Sequence, residues 1–217
     1  SQQIEMATKQ KIGIFGTGDV GQTLGAGFLR HGYQVMLAGR EKTNEKGQKW
    51  AAEKGAQYGT FADAAKFADI IVLATLWAGT ENAIKSAGAE NIKGKIIIDV
   101  TNPLDFSSGK PKLAVGFSTS GGELVQSWAP ESHVVKTWNI INCNFMIDPD
   151  FNGDKPTMFY CGNNADAKKV VHDILVETKW ESIFDHGDLT SARLLEPLAM
   201  LWIQHGVLGY GWTHGFK

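Results

Sequence analysis

The sequence predicts an α/β protein built on a Rossmann-type doubly wound parallel sheet, with a small C-terminal α/β domain. Three observations carry that prediction. Short apolar runs alternate with helical stretches over roughly the first 140 residues, the pattern of a parallel sheet covered by helices on both faces. A glycine-rich stretch, GTGDVG at 16–21, follows the first apolar run and opens the first helical one. After residue 140 the rhythm changes, and an aperiodic segment precedes a last strand–helix–strand–helix. We read residues 1–10 as a flexible tail, 11–140 as the Rossmann domain, and 141–217 as a small domain completing the cleft.

Each element has its own signal. KIGIF (11–15) is a buried strand ending at glycine, and Val20, Leu24, Phe28 and Leu29 share a helical face before Gly32 stops that helix. YQVMLAG (33–39) is the second strand. A polar helix at 41–55 is capped near Thr43 or Asn44, and AQYGT holds a short third strand. FADAAKFA (61–68) gives a helical turn or two, DIIVLAT (69–75) the fourth strand, and GTENAIKSAGAENIKG another helix. KIIIDV (95–100) is the fifth strand, broken by Pro103; GGELVQSWAP (121–130) is a helix ended by Pro130, and HVVKTWN (133–139) is the sixth strand. Residues 140–156 show no period, and a loop of that length is usually functional or mobile. TMFYCG (157–162), ADAKKVVHDILVET (165–178), WESIFD (180–185) and SARLLEPLAMLWIQHG (191–206) read as strand, helix, strand and long apolar helix.

Composition narrows the function. Among 217 residues, 43% are hydrophobic and 20% charged, which suits a soluble globular protein. A net charge of −2 gives no reason to expect nucleic acid or an anionic membrane as partner. Cys143 and Cys161 are far apart and form no CxxC pair, so neither a disulfide framework nor a zinc site is expected and the cytoplasm is the natural setting. The first ten residues lack the apolar core of a signal peptide, and Met6 is read as lying near the native start. No apolar run reaches the length of a membrane span.

The glycine stretch has a specific physical reading. Gly16 allows a tight turn, Gly18 lets backbone approach a pyrophosphate, and Gly21 lets helix and strand pack closely. Thr17, Asp19 and Val20 complete a helix start whose free N–H groups and positive dipole end face the phosphates. An acidic residue at the end of the second strand would hold the ribose hydroxyls of NAD; this chain has Gly39 and Arg40 there, with Lys42 beyond. A guanidinium at that point forms a two-pronged bond to the 2′-phosphate of NADP. Lys42 and the Thr17 hydroxyl add to it, and Gly39 leaves room for the phosphate.

Ligands of such sheets lie beyond the carboxyl ends of the strands. That selects Thr75, Leu76 and Trp77 after strand four, Asn102, Pro103 and Leu104 after strand five, and Trp138, Asn139 and Ile140 after strand six. Trp77 and Trp138 offer stacking surface, Asn102 and Asn139 offer amides, and Pro103, Leu104, Trp138 and Ile140 are the candidate substrate pocket. Acid–base chemistry has little support. Lys136 lies inside a strand, His133, His186 and His205 are scattered, and DHGD (185–188) lacks metal-ligand spacing. Hydride transfer between two flat rings needs alignment and water exclusion more than a protein acid. The expected partner is a small redox substrate.

KIGIFGTGDVGQTLGAGFLRHGYQVMLAGR, IIIDVTNPL, VVKTWNII and GDLTSARLLEPLAMLWI, taken in order, resemble the coenzyme F-420-dependent NADP oxidoreductases, a module also found in the reductase domain of the STEAP metalloreductases. The resemblance runs from about Lys11 to at least Trp202, nearly the whole chain. It implies a Rossmann domain with a small second domain, usually dimeric. A deazaflavin or flavin ring lies against the nicotinamide, and hydride passes between C4 of NADP and C5 of the deazaflavin. It also implies that Thr17 and Arg40 hold the 2′-phosphate. The family often has serine at position 39, where this chain has glycine, and VKAFN where it has VKTWN. Two other readings stand beside this one: a non-enzymatic NADP sensor, and a reductase of a small imine or carbonyl, for which Thr190, Ser191 or His205 would have to donate the proton.

Overall fold

The computed structural model describes residues 9–217; of the expected tail only Lys9 and Gln10 fall within it. Ten strands and eight α-helices follow in chain order: β1 Lys11–Phe15, α1 Asp19–Arg30, β2 Gln34–Gly39, α2 Glu45–Lys54, β3 Gln57–Thr60, α3 Phe61–Phe67, β4 Ile70–Leu73, α4 Trp77–Ala87, α5 Ala89–Ile92, β5 Ile96–Asp99, β6 Leu104–Asp105, β7 Lys112–Leu113, α6 Gly121–Trp128, β8 His133–Lys136, β9 Thr157–Gly162, α7 Ala165–Glu177, β10 Ser182–Asp185 and α8 Ala192–His205. Eight strands form one sheet in the order β10-β9-β8-β5-β4-β1-β2-β3. The chain starts in the middle, winds outward to β3, returns to β4, and continues through β5 and β8 to the other side. That reversal places a crevice beside β1 at the carboxyl ends, where such sheets bind ligands.

Central strands buried on both faces read as continuous apolar runs, and Ile70–Leu73 is buried throughout. One core layer packs α1, α2 and α7 on the sheet through Leu24, Phe28, Trp50 and Val171. The other packs α3, α4 and α6 through Ala64, Ile84 and Val125. Helix starts follow capping chemistry: Asn44 accepts the Gly47 N–H, and Thr60 and Asp63 form a reciprocal capping box.

Residues after 140 extend the same sheet. Strand β9 joins β8 antiparallel, with Val135 opposite Gly162, and β10 then runs parallel to β9. The β6–β7 hairpin was not expected; two-residue strands give no periodic signal. The aperiodic stretch 140–156 is a strap. Its Met146 and Ile147 are buried, Trp180 donates to the Met146 carbonyl at 2.8 Å, and His31 lies 2.8 Å from Asp148. Its backbone is ordered by tertiary contacts on α1, which local periodicity does not report.

Candidate active site

The glycine loop separates protein packing from ligand space. A Cβ on Gly16, at φ 129°, would sit 2.4 Å from the Ala74 carbonyl oxygen, and one on Gly21 would sit 2.3 Å from that of Gly16. Those two glycines are required by the fold itself. A Cβ on Gly18 would meet nothing within 4 Å. Gly18 is also the N-cap of α1, and among the described residues no side chain caps its free N–H groups. An uncapped helix start facing open space fits the pyrophosphate of a dinucleotide. Asp19 is exposed, with Lys46 3.6 Å away, while Val20 packs on the core beneath.

At the end of β2, Arg40 is exposed and makes no side-chain hydrogen bond or ion pair among the described residues. Lys42 lies 3.5 Å from Asp63. Gly39 differs from expectation. The space beside it is occupied by the protein: a Cβ there would lie 2.6 Å from the Tyr58 hydroxyl and 3.3 Å from Thr17 Cγ2. Gly39 therefore makes room for Tyr58, not for a phosphate.

The other strand ends hold more protein-to-protein contacts than the sequence suggested. The Thr75 hydroxyl meets that of Thr80 at 2.8 Å. Leu76 stands 83% exposed at the start of α4. Trp77 is half-buried and tilted 34° against Trp128, ring centroids 5.6 Å apart. Asn102 Nδ2 donates to the Asn139 carbonyl at 2.9 Å, and Asn139 Nδ2 donates to Asn102 Oδ1 at 3.1 Å and to the Leu195 carbonyl at 2.9 Å. These amides tie the ends of β5 and β8 together. Asn139 Oδ1 is buried with no partner among the described residues.

Trp138 is not pocket surface. It is fully buried, edge-on to Phe28 with centroids 6.0 Å apart, and its backbone adopts φ 61°. That left-handed turn directs the indole into the core, although its Nε1 finds no partner among the described residues. Ile140 is likewise buried, and Pro103 is buried against the start of α6. Of the four expected pocket residues only Leu104, half-buried in β6, keeps accessible surface. Of the proton donors considered, Ser191 donates to the His186 carbonyl at 2.6 Å and Thr190 to Asp188, while His205 is exposed near Tyr210.

Sequence reasoning missed a buried charge cluster directly beneath these ends. Lys136 Nζ lies 3.0 Å from Asp99 and 3.1 Å from Glu196, and it donates to the Thr101 carbonyl at 2.7 Å. All three charged side chains are buried. Burial works against the ammonium, yet Asp99 and Glu196 outweigh it and hold its pKa above the ordinary lysine value. Glu196 also accepts the Gly121 and Gly122 N–H groups at 2.9 Å, capping α6 from a distant helix. The sequence did carry a signal: a single lysine in an apolar strand and a single acid in an apolar helix.

A sheet of this topology, with an open cradle at its first turn and an arginine after its second strand that is unpaired among the described residues, fits an NADP-dependent oxidoreductase. Known proteins agree. The family model described as "NADP oxidoreductase coenzyme F420-dependent" matches residues 11–103. The F420-dependent NADP reductase of Methanocaldococcus jannaschii is 29% identical over 204 residues, covering 89% of this chain and 91% of that protein. A solved structure from Arthrobacter sp. FB24, a candidate F420-dependent NADP-reductase, is 37% identical with TM-score 0.89, covering 96% of this chain and 99% of that one. Metalloreductase STEAP3 of Rattus norvegicus is 27% identical over 88% of this chain, which spans 37% of its length. The chain belongs to the coenzyme F420-dependent NADP oxidoreductase family.

Proposed function

We propose that this protein passes a hydride between NADP(H) and the deazaflavin of coenzyme F-420, or a closely similar flavin-like ring. One observation carries the choice of chemistry. Among the described residues, the ionisable and amide side chains at the ends of β5 and β8 pair with one another or with Glu196 of α8: Lys136 with Asp99 and Glu196, Asn102 with Asn139. A carbonyl or imine reduction needs a proton donor at the reacting atom. Ring-to-ring hydride transfer needs close, oriented approach and exclusion of water.

NADPH supplies the hydride when bound, and the chain's own residues hold it. The N–H groups at Gly18, Asp19 and Val20 receive the pyrophosphate. Thr17 and Arg40 take the 2′-phosphate, with Lys42 adding positive potential beside them. Thr75, Leu76, Trp77 and the Asn102–Asn139 pair form the floor of the nicotinamide end. Leu76 and Leu104 present apolar surface to the second ring. The glycine loop and strand-end rim orient; the pairing of polar groups below them keeps competing proton donors away from the hydride.

We further propose that the protein works as a cytoplasmic homodimer. Its cysteines, Cys143 and Cys161, are both free thiols, which suits a reducing compartment. Leu194, Leu201 and Leu208, seven residues apart, are 69%, 64% and 62% exposed. From Leu194 to Trp212 the chain has one Asp, Glu, Lys or Arg, the buried Glu196. A charge-free stripe of this kind suits pairing with a second copy about a two-fold axis.

Anaerobic mixing of the protein with NADPH and then oxidised F-420 tests the reaction. Loss of the oxidised deazaflavin absorbance in proportion to NADPH consumed is expected. Tight NADPH binding with no exchange would remove F-420 as the acceptor and leave the cofactor site standing.

A further inference from the structure

Residue 58 faces residue 37 across the β2–β3 pair, and Gly39 lies two residues further along the same face. The Tyr58 ring extends toward the end of β2 and passes between two glycines. A Cβ on Gly39 would lie 2.6 Å from its hydroxyl, and a Cβ on Gly47 of α2 would lie 2.3 Å from the ring edge. Both positions lack side chains, and together they form the slot for this tyrosine. At the end of the slot the Tyr58 hydroxyl donates to the Glu41 carbonyl at 2.6 Å. The next carbonyl, that of Lys42, accepts from Gln48 Nε2 of α2. The turn that carries Arg40 is thus held by its carbonyls from the β3–α2 side. Thr17, the other expected phosphate contact, touches the same spot, with its methyl carbon 3.3 Å from the Cβ position of Gly39.

We infer that Tyr58 is a positioning residue for NADP selectivity: its hydroxyl fixes the backbone of the 40–42 turn so that Arg40 meets the 2′-phosphate. The inference rests on the phosphate site proposed above and extends it to a residue that lies one strand away. Arg40 has no side-chain partner of its own among the described residues to hold it in place. A long side chain without such a partner loses rotamer freedom on binding, and a rigid backbone beneath it reduces what must be ordered. Glycine at position 39 follows from the same arrangement, because any larger residue would collide with the hydroxyl that secures the turn.

Tyr58→Phe tests this, because it removes the hydroxyl and keeps the ring in its slot. The measurement is the affinity for NADPH and for NADH on each protein, beside thermal stability. Loss of one orienting hydrogen bond should weaken NADPH binding about five- to tenfold and leave NADH within about twofold. Gly39→Ala, whose methyl group displaces the hydroxyl, should reproduce the loss of selectivity. A merely structural role for Tyr58 would lower stability, or both affinities alike, and leave their ratio unchanged; that result overturns the inference. Arg40→Ala separates the two levels. If it abolishes the NADPH preference while Tyr58→Phe and Gly39→Ala do not, the phosphate site stands and the positioning role falls. If the unaltered protein shows no preference for NADPH, both fall.

Discussion

The Lys136 ammonium lies 3.1 Å from the Glu196 carboxylate, joining the end of β8 to the middle of α8 with neither group reached by water. With Asp99 on its other side, Lys136 carries one positive charge between two negative ones, and two backbone N–H groups of α6 supply the balance. Removing one member of such a cluster leaves a buried charge uncompensated. Lys136→Met should destabilise the fold by about 3–5 kcal/mol in urea unfolding. Glu196→Met should also destabilise, and the double variant should lose less than the sum of the two. Strict additivity would show that the two groups do not act as a unit.

Arg40 has a different sort of environment, since it is exposed and has no charged partner among the described residues. Arg40→Ala should therefore leave stability nearly unchanged. Its effect belongs to the cofactor: NADPH affinity should fall about 10- to 100-fold, the value of a charge-assisted phosphate contact, and NADH affinity should hold. Isothermal titration with both nucleotides reads this directly. Equal losses for both would remove Arg40 from the 2′-phosphate site.

The two thiols should differ sharply. Cys161 is fully buried opposite Lys136 in the β8–β9 pair, and burial pushes its pKa up to about 12. At pH 8 only about one molecule in 10⁴ would carry the thiolate there, and reagents cannot reach it. Cys143 is partly exposed. Titration with an aromatic disulfide reagent should show one fast thiol in the native protein and a second only on unfolding. Two fast thiols at pH 8 would mean that β9 opens readily.

The leucine stripe along α8 and the turn after it makes a prediction about assembly. Leu201 lies at its centre and is 64% exposed, so a charge there meets water in a monomer and a desolvated apolar face in a dimer. Leu201→Glu should convert a dimer to a monomer in sedimentation, with unchanged far-ultraviolet circular dichroism. A monomeric unaltered protein at micromolar concentration would refute the dimer.

Much of the fold was legible because the central strands are short, apolar and separated by glycine- or cap-terminated helices; Lys11–Phe15 and Thr157–Gly162 match their predicted limits. The glycine loop was legible because each glycine has a distinct backbone reason. The strand ends were read less well. Trp138 looked like a stacking surface because its position lies beyond a strand, yet its positive φ turns it inward, and nothing local in the sequence encodes that turn. The Asn102–Asn139 and Lys136–Glu196 pairs join residues dozens of positions apart, and only tertiary structure brings them together. Tyr58 and Gly39 belong to the same class: the sequence leaves Tyr58 unremarked and offers Gly39 only as room for a phosphate, and their meaning is the contact between them.

The measurement that bears most directly on the proposed reaction follows the hydride itself. NADPH carrying deuterium at C4, in each of its two stereochemical positions, is mixed with F-420 and the protein in ordinary water. Direct ring-to-ring transfer predicts that one of the two labels arrives at C5 of the reduced deazaflavin and stays there, since that carbon does not exchange with solvent. Reduced F-420 without label from either NADPH would contradict direct transfer, and the absence of any reduced F-420 would contradict the choice of acceptor.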